Sequence, residues 1–262
     1  MGGLLRQILG TGRAAILPAA FLCAAAIPAG AQGTTIDHAH QYAACMKLAR
    51  ATPQDGFENA LAWSAQGGGQ AARHCAAVAL VGLGQYEEAA VRLDRLAQEA
   101  TAASAKLRPE LLAQSGQAWL MAGQYMRAHA AQSAALKLEP DNVELLIDRS
   151  ITLASTANYW AAVDDLNQAL DLAPERADVR ILRASAYRYL DAIPLAQEDI
   201  DLALARDPGN PIGLLERGIL RRLAGDNAGA RADWLQVLSL APDGLAGNAA
   251  RANLEKMDVK AE

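Results

Sequence analysis

The sequence has little cysteine, histidine and aromatic content, and each shortage narrows the functions that it can serve. Three cysteines, four histidines and 5% aromatic residues in 262 positions leave few side chains for metal ligation, nucleophilic catalysis or base stacking. Positive charge is also scarce, since 24 Lys and Arg residues compare with 29 Asp and Glu residues. A nucleic-acid partner is therefore not expected, because such proteins carry a basic face.

Motifs that mark catalytic centres are missing as well. The sequence has no H-E-x-x-H, C-x-x-C, phosphate-binding glycine loop or nucleophile elbow. A cluster of Asp37, His38 and His40 could ligate a metal, but three neighbouring residues do not make a closed site. We interpret them as the start of the first helix. The sequence thus predicts a protein that is not an enzyme and binds neither metal nor cofactor.

The long apolar run of this sequence is confined to its beginning. Arg6 and Arg13 are the only charges among residues 1–31, and they precede an apolar run that ends near Ile27 and a small-residue site at Ala29-Gly30-Ala31. This order is typical of a secretory signal peptide, so we predict cleavage after Ala31 and a periplasmic protein with no membrane span in the mature chain. A membrane anchor is the alternative, although the run is short for a hydrocarbon core of about 30 Å.

Cleavage would remove one of the three cysteines and leave Cys45 and Cys75. An even number of cysteines in an oxidising compartment favours a disulfide. The alternative is a pair of buried free thiols, since cysteine is often fully buried.

A period of about 34 residues, a length typical of helical repeats, runs through the C-terminal half of the chain. It is clearest in four prolines that each follow an apolar run: Pro140, Pro174, Pro208 and Pro242. Mostly small residues keep the same spacing in three series: Ala128, Ala162, Ala196, Ala230; Ala135, Ala169, Ala203, Val237; and Gly116, Ser150, Ala184, Gly218. Because proline cannot continue a helix, the period indicates a repeated helical unit.

This pattern resembles the tetratricopeptide-repeat family, whose unit is a helix-turn-helix of about 34 residues. Residues 109–142 match best, through Gly116, Gly123-Gln124-Tyr125, Ala128 and Pro140. The resemblance implies an all-α, right-handed superhelical solenoid of antiparallel helix pairs, which must stack to bury their apolar faces. We expect the four tryptophans at helix-packing positions: Trp63, Trp119, Trp160 and Trp234.

The resemblance covers residues 70–244 and weakens towards the N-terminus. The spacing from Tyr86 to Tyr125 exceeds one period by five positions, so we expect a longer loop between these units. Residues 32–69 are expected to form a degenerate helical hairpin, with helices near His38–Ala51 and Gln54–Gln66. Residues 245–262 are expected to form a capping helix and tail, which covers the open end of a solenoid.

Two charged series also follow the period. Three arginines on first helices and three aspartates on second helices each recur once per repeat: Arg149, Arg183, Arg217 and Asp165, Asp199, Asp233. A functional site would rarely be copied three times, so we predict structural ion pairs within each unit.

In this family the first helices line the concave groove that binds partners. The matching register assigns the following residues to it: Gln114, Gln117, Met121, Asp148, Ile151, Ser155, Ser185, Arg188, Tyr189, Ile219 and Arg222. The surface mixes apolar and polar groups and becomes basic towards Arg188, Arg221 and Arg222. It lacks the Lys and Asn set with which some members grip a carboxylate, so that role is not expected.

The sequence therefore predicts a periplasmic adaptor or scaffold that binds a peptide or helix of another protein in this groove. The alternative is a permanent structural subunit of a cell-envelope assembly, which would expose apolar patches on its convex face. An enzyme or metal carrier that uses His38 and His40 is the third hypothesis.

Overall fold

The computed structural model describes residues 38–101 and 105–259, so the predicted signal peptide lies outside the described residues. This part of the chain contains thirteen α-helices, one short 3-10 helix and no β-strand. The helices α1 to α6 are His38–Ala51, Pro53–Ala65, Gly69–Gly82, Tyr86–Gln98, Arg108–Met121 and Tyr125–Leu138, with the 3-10 helix Ala105–Leu107 before α5. The helices α7 to α13 are Val143–Ser155, Tyr159–Leu172, Ala177–Tyr189, Ile193–Arg206, Pro211–Leu223, Asn227–Leu240 and Leu245–Val259.

Consecutive helices pack as hairpins, and the hairpins stack in chain order. Six pairs run from α1 with α2 to α11 with α12, and the second helix of each pair also contacts the first helix of the next. The last helix, α13, packs against both α11 and α12. The result is the right-handed solenoid of antiparallel helix pairs that the repeat resemblance implies.

In five of the six hairpins, from α3–α4 onward, the turn has one residue in the left-handed backbone region. Glycine occupies it at Gly84, Gly123 and Gly225, with φ of 73°, 72° and 85°. Ala157 and Asp191 take the same place in the α7–α8 and α9–α10 hairpins, with φ of 58° and 59°. A side chain makes this conformation unfavourable, so these two turns hold local strain that the other three avoid.

From the third unit onward, each unit ends at its proline and the next helix begins three residues later. Pro140 follows the C-cap residue of α6, and the Asn142 side chain accepts a hydrogen bond from the Leu145 amide. Asn210 does the same for the amides of Ile212 and Gly213 after Pro208. A side-chain acceptor satisfies amides that have no partner within the helix, which explains where α7 and α11 begin.

Close approach of the two helices in a hairpin explains the small-residue series. A Cβ atom added to Gly218 would lie 2.4 Å from the Trp234 ring nitrogen, and one added to Gly116 would lie 2.6 Å from the Gln132 side chain. Both large side chains are fully buried. A small residue on one helix therefore makes room for a large residue on its partner.

Candidate functional site

The first helices of successive hairpins form one continuous face of the solenoid. Contacts join α1 with α3, α5 with α7, α7 with α9 and α9 with α11, whereas second helices of successive hairpins make no comparable contact in the described residues. Helices that approach each other lie on the inner side of a curved stack. The first-helix face is therefore the concave face, and every residue that the sequence assigns to the groove lies on one of these helices.

Several of the assigned groove residues are occupied by hydrogen bonds between neighbouring first helices. The Gln117 Nε2 atom on α5 donates to Asp148 Oδ2 on α7 over 2.8 Å. Arg188 on α9 forms an ion pair with the buried Glu216 on α11. Gln114 bonds to His74 on α3 over 2.7 Å. These side chains connect the walls of the groove, which limits their availability to a partner.

Between α7 and α9 the concave face opens into a pocket of about 250 Å³. The structure brings four of the assigned residues together around it: Ile151, Ser155, Ser185 and Tyr189. Leu182 and Tyr159 also line this pocket. Apolar walls with several hydroxyl groups suit an extended peptide, which supplies both side chains and backbone polar groups.

A pair of stacked tyrosines forms one end of this pocket. The rings of Tyr159 and Tyr189 are 4.7 Å apart and nearly parallel, at 2°. The Arg188 guanidinium lies over the Tyr189 ring at 4.4 Å. Tyr189 is nevertheless 58% exposed, so its position is fixed while its surface stays available.

Asp148 lies one helical turn before Ile151 in the groove, and its pKa is raised by its surroundings. Burial raises the pKa of Asp148, the hydrogen bond from Gln117 opposes this, and the negative charge of Glu144 raises it further. No cation forms an ion pair with Asp148 within the described residues. Its negative charge is therefore incompletely balanced inside the fold.

The remaining assigned residues lie further from this pocket. Met121 is 60% exposed on α5, while Ile219 and Arg222 are half-buried on α11. The expected basic character of the C-terminal groove is reduced, because Arg188 pairs with Glu216 and Arg221 pairs with Asp233.

The periodic arginines and aspartates meet in each unit. Arg149 donates two hydrogen bonds to Asp165, at 2.8 and 2.6 Å, and Arg183 donates two to Asp199, both at 2.7 Å. Arg217 donates two to Asp233, at 3.0 and 2.7 Å. The three carboxylates are buried, with side-chain exposures of 3–7%.

Two of these arginines also reach the preceding unit, which the sequence analysis did not anticipate. Arg149 donates to Ser133 at 3.3 Å, and Arg183 donates to Asn167 at 2.8 Å. Ser133 and Asn167 are themselves one period apart, so the repeat spacing contained the signal. Both arginines therefore join successive units as well as the two helices of one unit.

At the N-terminal end, Cys45 on α1 and Cys75 on α3 form a disulfide between two fully buried positions. His38 is the first residue of α1, and Asp37 of the proposed cluster lies outside the described residues. Where the structure describes the chain, no three His, Cys, Asp or Glu side chains are grouped as metal ligands would be. The helices in the described ranges are also too short or too polar to cross a membrane.

The expectation that all four tryptophans pack between helices is wrong for Trp160, which is 61% exposed on α8. Met126, one period earlier on α6, is 79% exposed. Both side chains lie at the second position of a second helix, where the side chain points away from the hairpin. The second helices thus carry exposed apolar groups, and Trp160 is the one that the sequence analysis expected at a packing position.

Comparison with known proteins gives partial matches in sequence and broader ones in structure. No protein-family model matches the sequence. Tetratricopeptide repeat protein 36 of Bos taurus is 32% identical over 114 residues, which cover 42% of this chain and 55% of that protein. The Danio rerio protein of the same name is 29% identical over 109 residues, or 39% of this chain and 58% of that protein. The chain thus spans a little over half the length of these curated relatives.

Solved structures from bacteria share the fold over most of the chain. A tetratricopeptide repeat protein from Parabacteroides merdae has a TM-score of 0.64 at 16% identity and covers 85% of both chains. Pseudomonas aeruginosa PilF has a TM-score of 0.61 at 16% identity, over 82% of this chain and 99% of that one. MamA from Desulfovibrio magneticus has a TM-score of 0.54 at 22% identity, over 75% and 94%.

Proposed function

We propose that this chain, which folds as a tetratricopeptide-repeat solenoid, is an adaptor that binds a segment of another protein on its concave face. The observation that carries the proposal is the pocket between α7 and α9, where Ile151, Ser155, Ser185 and Tyr189 meet. Elsewhere along this face, side chains of neighbouring first helices bond to each other. At the pocket, Ser155 donates to the Ile151 carbonyl and Ser185 accepts from Arg188, each within its own helix. Their oxygen lone pairs and the apolar walls still line the pocket.

The partner would be an extended peptide or a helix with a bulky apolar side chain. Such a side chain can pack against Ile151 and the exposed ring of Tyr189. A lysine or arginine of the partner would balance the charge of Asp148, which lies one helical turn away on α7. Charged and apolar contacts in close succession give a groove both affinity and register.

We place this adaptor in the bacterial periplasm as part of the same proposal. The support is the signal-type sequence that ends at Ala31 and the buried disulfide, which suits an oxidising compartment. Mass spectrometry of the protein from a periplasmic fraction should find Gln32 as the first residue. A full-length chain in the cytoplasmic fraction would contradict the export proposal without touching the groove.

Site-specific photo-cross-linking tests the groove directly. A benzophenone side chain at Ser155, which is exposed at the pocket, should capture the partner from native envelope extracts. The same group at Met126 on the convex side is the matched control and should not. The Tyr189→Ala variant should lose the cross-link from position 155 while it keeps its helical circular dichroism.

A second function is favoured by one specific observation. Exposed apolar side chains recur on the second helices, led by Met126 and Trp160 at 79% and 61% exposure. Such a surface suits a permanent subunit of an envelope assembly that packs through its convex face. A cross-link from position 126 that survives Tyr189→Ala, with none from position 155, would select this function over the adaptor.

A further inference from the structure

A separate cavity of about 410 Å³ lies at the N-terminal ends of α1, α3 and α5, away from the α7–α9 pocket. Its walls are largely apolar and come from four helices and the 3-10 segment: Ala39, Ala71, Leu96, Leu107 and Leu111. Leu96 and Leu111 are buried, whereas Leu107 is 52% exposed. The volume is at the low end of ligand pockets, which span about 300–1,000 Å³, so it suits a small molecule.

A chain of four hydrogen-bonded side chains runs along one side of this cavity. Tyr42 bonds to His74 Nδ1 over 2.7 Å, and His74 Nε2 bonds to Gln114 Oε1 over 2.7 Å. Gln114 Nε2 then donates to Glu110 Oε1 over 3.0 Å. Tyr42, His74 and Glu110 all line the cavity, and His74 is only 9% exposed.

The direction of this chain follows from its last member. An ionised carboxylate can only accept, so the Gln114 amide must donate to Glu110 and present its oxygen to His74. In its neutral form His74 therefore carries its proton on Nε2, and its Nδ1 atom accepts from the Tyr42 hydroxyl. The Tyr42 hydroxyl uses its proton in the bond to His74. The lone pairs of the Tyr42 oxygen and the Glu110 carboxylate remain as acceptors beside the cavity.

We propose that this cavity binds a small amphipathic amine. The apolar body packs between Leu96, Leu107 and Leu111, and the ammonium group donates hydrogen bonds to Glu110 and to the Tyr42 oxygen. Tyr42 and Glu110 offer no donor to a molecule whose polar end only accepts. Outside the chain of hydrogen-bonded side chains, the polar residues of the lining are His38 and Gln70, and Gln70 donates to the Glu99 carbonyl. This site is independent of the proposed adaptor function, because it shares no lining residue with the α7–α9 pocket.

Charges of both signs surround this cavity. Burial raises the pKa of Tyr42, and the negative charge of Glu110 raises it further, while Arg50 acts in the opposite direction. Lys106 and Arg108 adjoin Leu107 in the chain. The preference for an amine therefore rests on the hydrogen-bond acceptors and not on net charge.

Three probes of similar size test the polar end. The full chain is titrated with 2-phenylethylamine, 2-phenylethanol and 3-phenylpropionate, and binding is followed by calorimetry and ligand-observed NMR. A charge-assisted hydrogen bond should make the amine bind about tenfold tighter than the alcohol. No measurable binding of the amine, or equal binding of the carboxylate, would overturn the proposal.

Paired variants then assign the effect to residues. Glu110→Gln keeps an acceptor for Gln114 but removes the charge, so it should weaken the amine about tenfold and the alcohol by less than about threefold. Leu107→Ala should weaken all three probes alike, because it removes only an apolar wall. Glu255→Gln on α13 is the control for loss of an exposed carboxylate and should change nothing.

The result for Glu110→Gln is decisive in both directions. An amine affinity that is unchanged in this variant would show that the ammonium group binds elsewhere, and the proposed site would be wrong.

The peptide phenylalanylglycine carries the same ammonium group beside a similar ring. Tighter binding of this peptide than of 2-phenylethylamine would show that the cavity binds a peptide N-terminus, and would overturn its assignment to a free amine.

Discussion

Removal of the Arg149 side chain should destabilise the protein far more than removal of an arginine from a surface ion pair. The Asp165 side chain is 7% exposed and accepts two hydrogen bonds from Arg149, which is itself 24% exposed. An uncompensated buried charge costs about 3–5 kcal/mol when the pair is fully buried. Because Arg149 keeps partial contact with water, we expect Arg149→Ala to lower the free energy of unfolding by about 2–4 kcal/mol.

Arg176→Ala is the matched control, because Arg176 pairs with Glu144 and Asp178, whose side chains are 69% and 54% exposed. It should cost at most about 1 kcal/mol. Urea unfolding followed by both circular dichroism and tryptophan fluorescence measures the two values and tests whether all units unfold together. Equal costs for the two variants would refute the reasoning. A double variant, Arg149→Met with Asp165→Leu, should recover most of the loss, because no unpaired charge remains.

Three local features carry further predictions. Replacing Cys45 and Cys75 by alanine should lower the free energy of unfolding by about 3–4 kcal/mol, since their separation is 30 residues. Urea unfolding of the natural protein with and without a reductant checks this value. A loss of unfolding free energy far below about 3 kcal/mol on reduction would contradict it. Ala157→Gly should raise stability by about 0.5–1 kcal/mol, since φ is 58° there, whereas Ala134→Gly within α6 should lower it by about 1 kcal/mol; thermal melts of the pair check the sign. Because the pKa of Asp148 is raised in the folded state, its ionisation disfavours folding. The stabilisation from its protonated form is fully present below the unfolded-state pKa, near 3.8, and is lost as the pH rises through the folded-state pKa. Asp148→Asn should remove that part of the pH dependence above pH 3.8. Melting temperatures that change with pH in the same way for both proteins would contradict it.

The fold could be predicted because its signals repeat. A helix end that recurs at Pro140, Pro174, Pro208 and Pro242 is hard to explain by any structure but a repeated helical unit. The same redundancy identified the positions of the Arg149 and Asp165 series. One occurrence of each residue would have predicted little, since isolated surface charges are common.

The candidate site could be predicted only in part, because a repeat shows which face a residue shares and not whether a neighbour already occupies it. Gln117 and Ser155 were both assigned to the groove by register. In the structure Gln117 bonds to Asp148, while Ser155 lies at the open pocket. Trp160 shows the same limit, because its type suggests burial while its place at the start of α8 leaves it 61% exposed.

Polar contacts between successive units recur along the solenoid with different residues. Arg183 on α9 bonds at once to Asn167 on α8 and to Asp199 on α10, and thereby fixes α9 against both neighbouring second helices. In the unit that begins near residue 109, a serine stands in the place of the arginine, and Ser115 and Trp119 donate instead to Asp94 on α4. The spacing from Asp94 to Ser133 exceeds one period, because of the five extra positions between these units, so the repeat period alone could not identify Asp94. The polar contact between units is therefore retained while its chemistry changes. Each of these contacts holds a first helix against the second helix of the preceding unit, whichever residue types make it.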